Sequence, residues 1–148
     1  MPYYTPLRYP GGKRRLAPTV AQLLDANGLR NVEYVEPYAG GAAVGLSLLF
    51  EERASRIHIN DLNPAVHAFW HCVLEHNEAL CERIQSTRVS LAEWRRQRAT
   101  YVSDKDAEST DLGFAAFFLN RTNRSGILGG GVIGGKAQKS EWGVAARY

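Results

Sequence analysis

The stretch that decides the fold is "VEYVEPYAGGAAVGL", Val32 to Leu46. Val32–Glu36 reads as a short buried strand closed by Pro37. Gly40 and Gly41 then turn the chain tightly into a helix in which Val44, Leu48 and Leu49 can face a core. Glycine tolerates positive φ and lets a ligand approach the backbone closely. A strand, a tight turn and a helix in this order form the first unit of a nucleotide-binding α/β fold. Gly40, Gly41 and Gly45 do not have the GxGxxG spacing of the dinucleotide fingerprint, so a pyrophosphate is not the expected guest. A plain glycine turn in an α/β domain would use the same letters, and both readings stand at this point.

Working outward, "RIHIN" is a second strand, Arg56 to Asn60, with Asp61 directly after it. A carboxylate there can accept hydrogen bonds from both hydroxyls of a ribose. Its competing role is to cap the helix that begins at Pro64, a role Asn63 already fills. The two segments together suggest an adenosine-bearing ligand without a diphosphate, a description that fits S-adenosylmethionine. On the other side stands "RYPGGKRRLAP", Arg8 to Pro18. Lys13 follows two glycines, so its ammonium can approach an amino acid carboxylate. A Walker loop needs GxxxxGK[ST], whereas Arg14 follows Lys13 here. In isolation this segment also reads as a basic surface turn.

Beyond the loop, Leu16, Val20, Leu23 and Leu24 recur at helical spacing until Gly28. After Pro64, one helix is predicted with Val66, Phe69, Trp70, Val73, Leu74, Leu80, Cys81 and Ile84 on a single apolar stripe. Ser90 and Glu93 make a capping box for a helix carrying Leu91, Trp94 and Tyr101. Ser103 to Thr110 is a polar, acidic loop, and "DLGFAAFFLNR" is a further helix. In the glycine-rich tail, Ile127, Leu128, Val132, Ile133 and Trp142 predict loops or a hairpin packed on the rest. The alternation of helices and strands predicts a parallel sheet. Only two strands are convincing, and parallel strands need cover on both faces. The open edge is therefore expected to be covered by another copy of the chain, in a homo-oligomer, or by a further domain.

A chain of 148 residues with 45% apolar and 22% charged residues suits one ordinary globular domain. The net charge of +3 matters less than its clustering: Arg8, Lys13, Arg14 and Arg15; Arg95, Arg96 and Arg98; Arg121, Arg124, Lys136 and Lys139. Such groups can contact a polyanion, although most are simply solvated faces. Cys72 and Cys81, nine positions apart, would face opposite sides of a helix, which suggests neither a disulfide nor a metal clip. A reduced, cytoplasmic setting follows, with no signal peptide, no membrane-spanning run and no membrane partner expected.

Four segments in order, "RYPGGK", "VEPYAGGAAVGL", "INDLNP" and "FFLNRTNRSGILGG", resemble the N6-adenine DNA methyltransferases of the DNA adenine methylase type, the D12 class. The resemblance covers nearly the whole chain. It implies a Rossmann-like S-adenosylmethionine-dependent methyltransferase fold, α/β with an incomplete parallel sheet and a mainly helical target-recognition segment. Residues 1–87 would form the cofactor part and residues 88–148 part of the target-recognition region. Tyr9 and Lys13 would flank the methionine moiety, Glu36, Tyr38, Gly40 and Gly41 would wrap methionine and adenosine, and Asp61 would hold the ribose. Arg95, Arg121, Arg124, Ser125, Lys136 and Lys139 would approach double-stranded DNA, by phosphate or guanine contacts. Some family members carry an aromatic wedge in the hairpin, where this chain has Arg124 and Ser125. The family's Asp-Pro-Pro-Tyr motif, which holds the flipped adenine, does not occur in these 148 residues. No catalytic residue is therefore assigned. The expectation is a truncated or split chain whose missing part, or a second chain, supplies that motif. The alternative is a non-catalytic module that binds S-adenosylmethionine or DNA.

Overall fold

Two parallel strands joined through a helix form the centre of the N-terminal part. β1 (Val32–Glu36) leads through the glycine turn into α2 (Ala43–Phe50), and β2 (Ala54–Ile59) returns beside β1. The computed structural model describes residues 4–139 and 141–148. Within them the fold is mixed α/β, with one two-stranded parallel sheet and six α-helices. The chain divides into two compact units, Met1–Asp61 and Leu62–Tyr148.

In the first unit, a short 3₁₀ turn (Lys13–Leu16) runs into α1 (Ala17–Ala26), with Pro18 in the first turn, where a missing N–H costs nothing. Ala17 and Ala21 are buried against Val44, Leu48 and Ala54, and Val20 and Leu24 complete the face. Positions 17, 20, 21 and 24 are a helical stripe. The predicted stripe needs correcting on this point: Leu16 is 52% and Leu23 59% exposed. Leu16 belongs to the 3₁₀ turn, whose tighter winding puts it out of phase with the helix.

β1 is also less buried than its letters suggest. Val32 and Tyr34, with Ile57 of β2, pack on the apolar cluster, whereas Val35 is 62% exposed. The outer row pairs Glu33 with Arg56 and Val35 with His58. Glu33 there lies 3.1 Å from His58 Nε2 and 3.5 Å from Arg56 Nη1. The sheet is thus apolar on one face and ionic on the other, because the apolar residues of α1 and α2 cluster on the first face.

The second unit is built around α6 (Thr110–Thr122), which is buried from Leu112 to Thr122 except at Arg121. A helix apolar on most sides belongs in the middle of a bundle. α3 (Pro64–Glu75), α4 (Asn77–Ser86) and α5 (Leu91–Ser103) pack around it. Gly113 permits the closest approach: a Cβ there would stand 2.6 Å from the Ala68 carbonyl oxygen and against the Cys72 sulfur. Burial pushes the Cys72 thiol up, so it is an inert core residue. Asn63 caps α3 by accepting from the Ala65 N–H at 3.0 Å, and Ser90 caps α5 by accepting from Glu93 N–H at 3.1 Å.

The single helix predicted after Pro64 is two. The chain breaks at His76 (φ −137°, ψ 35°), so that α3 and α4 both reach α6. Between Val73 and Leu80 the polar run Glu75–Glu78 offers a continuous helix nothing to bury. The break leaves Leu74 67% exposed and Cys81 on the surface, two members of the predicted stripe that do not join the core.

Candidate functional site

The turn after β1 is held by three separate bonds. Glu36, 3% exposed, accepts through Oε2 from the Gly45 N–H at 2.9 Å and so caps the first turn of α2 from the end of the strand. Asp61 accepts through Oδ2 from the Gly40 N–H at 2.8 Å, tying the end of β2 to the glycine turn. Lys13 donates to the Tyr38 carbonyl oxygen at 2.5 Å, and its Nζ lies 3.5 Å from Glu36 Oε1. That Oε1 is buried and accepts no hydrogen bond. The negative charge of Glu36, together with burial, also pushes the Tyr34 phenol up, burial being the larger cause.

The glycines are required by close contacts. Gly40 has φ +50°, and a Cβ on it would stand 2.8 Å from the Tyr9 ring. A Cβ on Gly41 would stand 2.7 Å from Thr5 Oγ1. Ala42 adopts the left-handed conformation (φ 49°) as the residue before α2, a strained choice for a residue with a Cβ.

Beside this turn lies a cavity of about 230 Å³, lined by Tyr9, Gly12, Lys13, Ala39 and Gly41 together with Thr5 and Leu7. It sits beyond the carboxyl end of β1, where α/β sheets bind their ligands. Of the residues expected at a cofactor, Tyr9, Lys13 and Gly41 line the cavity. Glu36, Tyr38, Gly40 and Asp61 form the bonded turn next to it. Thr5 and Leu7 gave no sequence signal, because their place depends on the N-terminal segment folding back over the turn; Leu7 N–H donates to Thr5 Oγ1 there.

The residues expected near DNA all lie in the second unit. Asn123 pairs with Val132 in an antiparallel bridge, flanked by Arg124 N–H to Gly131 O (2.9 Å) and Ile133 N–H to Thr122 O (2.9 Å). Of the loops or hairpin expected for the glycine-rich tail, the described residues form a short hairpin closed by this one bridge. Its turn carries Arg124 and Ser125, both exposed, with Ser125 at φ 56°. Two buried asparagines hold the turn from inside. Asn120 donates to the Gly126 carbonyl at 2.9 Å. Asn123 donates to the Ile127 and Leu128 carbonyls at 2.8 and 2.9 Å and accepts from Trp94 Nε1 at 2.7 Å. Sequence reasoning missed both asparagines.

Arg95 on α5 and Lys136 on the far limb of the hairpin line one groove with Trp94, Arg98 and Gly129–Gly131. Arg98 donates to the Leu128 and Gly130 carbonyls at 3.2 and 3.1 Å and so fastens the hairpin to α5. Arg121 lies over the Phe117 ring at 5.5 Å, and Lys139 is exposed further along the tail; neither lines that groove. Among the described residues no cluster of side chains could hold a metal ion, and no helix is long and apolar enough to cross a membrane.

Comparison with known families gives a match over residues 9–127 to the model described as D12 class N6 adenine-specific DNA methyltransferase. No curated protein matches the chain. The match begins at Tyr9 and ends at Ile127, so it takes in the cavity lining from Tyr9 onward, the glycine turn, both strands and the first limb of the hairpin, and leaves out Thr5 and Leu7.

Proposed function

The chain belongs to the D12 class N6 adenine-specific DNA methyltransferases, and from that membership we propose that it binds S-adenosylmethionine beside the β1 turn and acts on adenine in double-stranded DNA. When bound, the cofactor supplies a sulfonium methyl that passes to the adenine N6 amine, leaving a neutral thioether and releasing one amine proton. The observation that carries this reading is the Lys13–Glu36 pair at the glycine turn. An amino acid end bears one carboxylate and one ammonium. Lys13, with three donors, keeps capacity for a carboxylate, and Glu36 Oε1 is a buried acceptor in want of a donor. Asp61, whose carboxylate accepts from the Gly40 N–H at the glycine turn, would take the ribose hydroxyls. Pockets for whole ligands usually run to roughly 300–1,000 Å³. The 230 Å³ cavity therefore suits the amino acid end, with Tyr38, 73% exposed, and Gly40 beside the remainder.

The Rossmann-like reading of the fold rests on this β–α–β unit and on the family. Residues 1–87 would serve the cofactor, and residues 88–148 the DNA, through Arg95, Arg121, Arg124, Ser125, Lys136 and Lys139. Because no Asp-Pro-Pro-Tyr tetrapeptide occurs in the 148 residues, the groups that hold the flipped adenine would come from outside them. The same absence favours a second reading, a cytoplasmic binding module that holds cofactor or DNA without transferring a methyl. Transfer of labelled methyl to duplex DNA, with and without a chain supplying that motif, separates the two: restored transfer supports the enzyme, and continued silence the module.

Calorimetric titration of S-adenosylmethionine tests the cofactor site itself. Lys13→Ala and Asp61→Ala should each weaken binding by about tenfold or more, the loss of a charge-assisted hydrogen bond. Unchanged affinity in both folded variants would overturn the assignment.

A further inference from the structure

Beside the break at His76, between α3, α4 and α6, lies a cleft of about 130 Å³. Its floor is Cys72, Leu80 and Phe114, all buried, and its rim carries His76, Arg83 and Thr110. Cys72 Sγ donates to the Thr110 carbonyl at 3.9 Å, so the floor presents neither a charge nor a free donor. Among the described residues no acidic side chain lines the cleft, and Arg83 is its permanent charge. The guanidinium lies over the Phe114 ring at 4.3 Å and gives Nη1 to Asp111 Oδ1 at 2.6 Å. A guanidinium has five N–H donors, and Asp111 is its one polar partner among the described residues. The Asp111 side chain is 67% exposed, so this pair is well hydrated and weak.

We propose that this cleft is a small-molecule site of the helical unit and takes a carboxylic acid with a compact apolar body of one ring. The ring would rest on Leu80 and Phe114, and the carboxylate on Arg83. Size sets the first limit: an apolar cavity of about 150 Å³ admits benzene, so a single ring fits and a fused pair does not. The floor then covers the ring without leaving a polar group unpaired. Charge sets the second limit. A carboxylate at the rim meets guanidinium donors that Asp111 does not use, in a geometry that suits a planar anion. An ammonium would be repelled there, and a neutral ring would forgo the bond. Helical bundles commonly hold their ligands between helices, as here. Leu80 and Arg83 belong to α4 and Phe114 to α6, so the bound acid would tie the two helices together. The site is separate from the glycine turn and involves none of the residues expected at DNA.

The test titrates benzoate into the isotope-labelled 148-residue chain, with benzyl alcohol as a neutral probe of similar shape. The amide resonances of Leu80, Arg83 and Phe114 should move saturably, with a Kd of about 1 mM or tighter. The melting temperature should rise with benzoate concentration, since the ligand binds only the folded state. Benzyl alcohol should bind at least about tenfold more weakly. Arg83→Gln should weaken benzoate by about tenfold or more, and Asp111→Asn, which removes the competing carboxylate, should strengthen it by about threefold. Three results would each overturn the assignment: no saturable shift up to about 10 mM benzoate, shifts confined to the Lys13 turn, or unchanged affinity in folded Arg83→Gln. Asp111→Asn decides the matter even where Arg83→Gln does not fold. It keeps the guanidinium, so an affinity below wild type would count against Arg83 as the receiving group.

Discussion

Removing the Asn123 side chain should unfold the hairpin's support from within. Asn123 is fully buried and makes three hydrogen bonds, one accepted from Trp94 Nε1 and two donated to the Ile127 and Leu128 carbonyls. Asn123→Ala strands the Trp94 indole N–H, whereas the Leu128 carbonyl keeps Arg98 Nη1 and the Ile127 carbonyl keeps the Gly130 N–H. Trp94 is 7% exposed, so its N–H loses a partner that water replaces poorly. At about 1–3 kcal/mol for that unpaired group and roughly 0.5 kcal/mol for each carbonyl bond lost, the loss is about 2–3 kcal/mol. That is a large part of the roughly 5–15 kcal/mol that holds a domain. In urea, with a slope of about 2 kcal/mol per molar, the midpoint should fall by about 1–1.5 M, followed by circular dichroism. Trp94→Phe removes the indole donor along with part of the buried ring, and the cycle cancels the packing loss. In a double-mutant cycle with Asn123→Ala it should show a coupling of about 1 kcal/mol. A midpoint shift below about 0.5 M, or no coupling in the cycle, would falsify the claim that these bonds hold the turn.

Other outcomes follow from the packing and the site. Gly113→Ala should destabilise the chain by about 1–3 kcal/mol in the same urea assay, because the new methyl has nowhere to go between Ala68 and Cys72. Glu36→Ala leaves the Gly45 N–H uncapped and Lys13 without its counter-charge, and should cost about 1–2 kcal/mol. Gly40→Ala should lower S-adenosylmethionine affinity by calorimetry, because the new methyl strikes the Tyr9 ring and the residue must hold φ +50°. Burial, and then the charge of Glu93, pushes the Tyr148 phenol up to about 12 from 10.0. With the folded value above the unfolded one, its contribution is whole below pH 10 and disappears as the pH climbs through 12. Tyrosinate absorbance should show this late ionisation, and Tyr148→Phe should remove it.

Local chemistry was legible in the sequence where a residue type performs a local task. Asn63 before Pro64 and Ser90 before Glu93 act within a few residues of themselves, and each caps its helix as the sequence predicts, whereas Gly40 and Gly41 mark the turn by their type but owe their need for glycine to Tyr9 and Thr5. The break at His76 was not legible, because neither glycine nor proline marks it and the apolar pattern resumes in α4. Val35 looked buried because an apolar type says nothing about how many faces of a sheet are covered. Asn120 and Asn123 carried no signal of their own, since their partners lie several positions ahead or on another helix. Of the cavity, Lys13 and Gly41 could be read from their own segments, whereas Thr5 and Leu7 depend on a chain reversal that no local pattern announces.

The ionic row on the outside of the sheet restricts how anything can be added to it. Glu33, Arg56 and His58 have side chains 58%, 68% and 49% exposed. A helix or a second sheet laid flat on that row would strip water from all three, and a desolvated ion pair seldom recovers that loss. Extension sideways is different: a new strand hydrogen-bonding along the rim of β1 or β2 would leave the row wet and offer main-chain groups instead. Growth of this sheet, by a further segment or by a second copy, is therefore directed along its edges, and the three side chains act as a guard against face-on stacking.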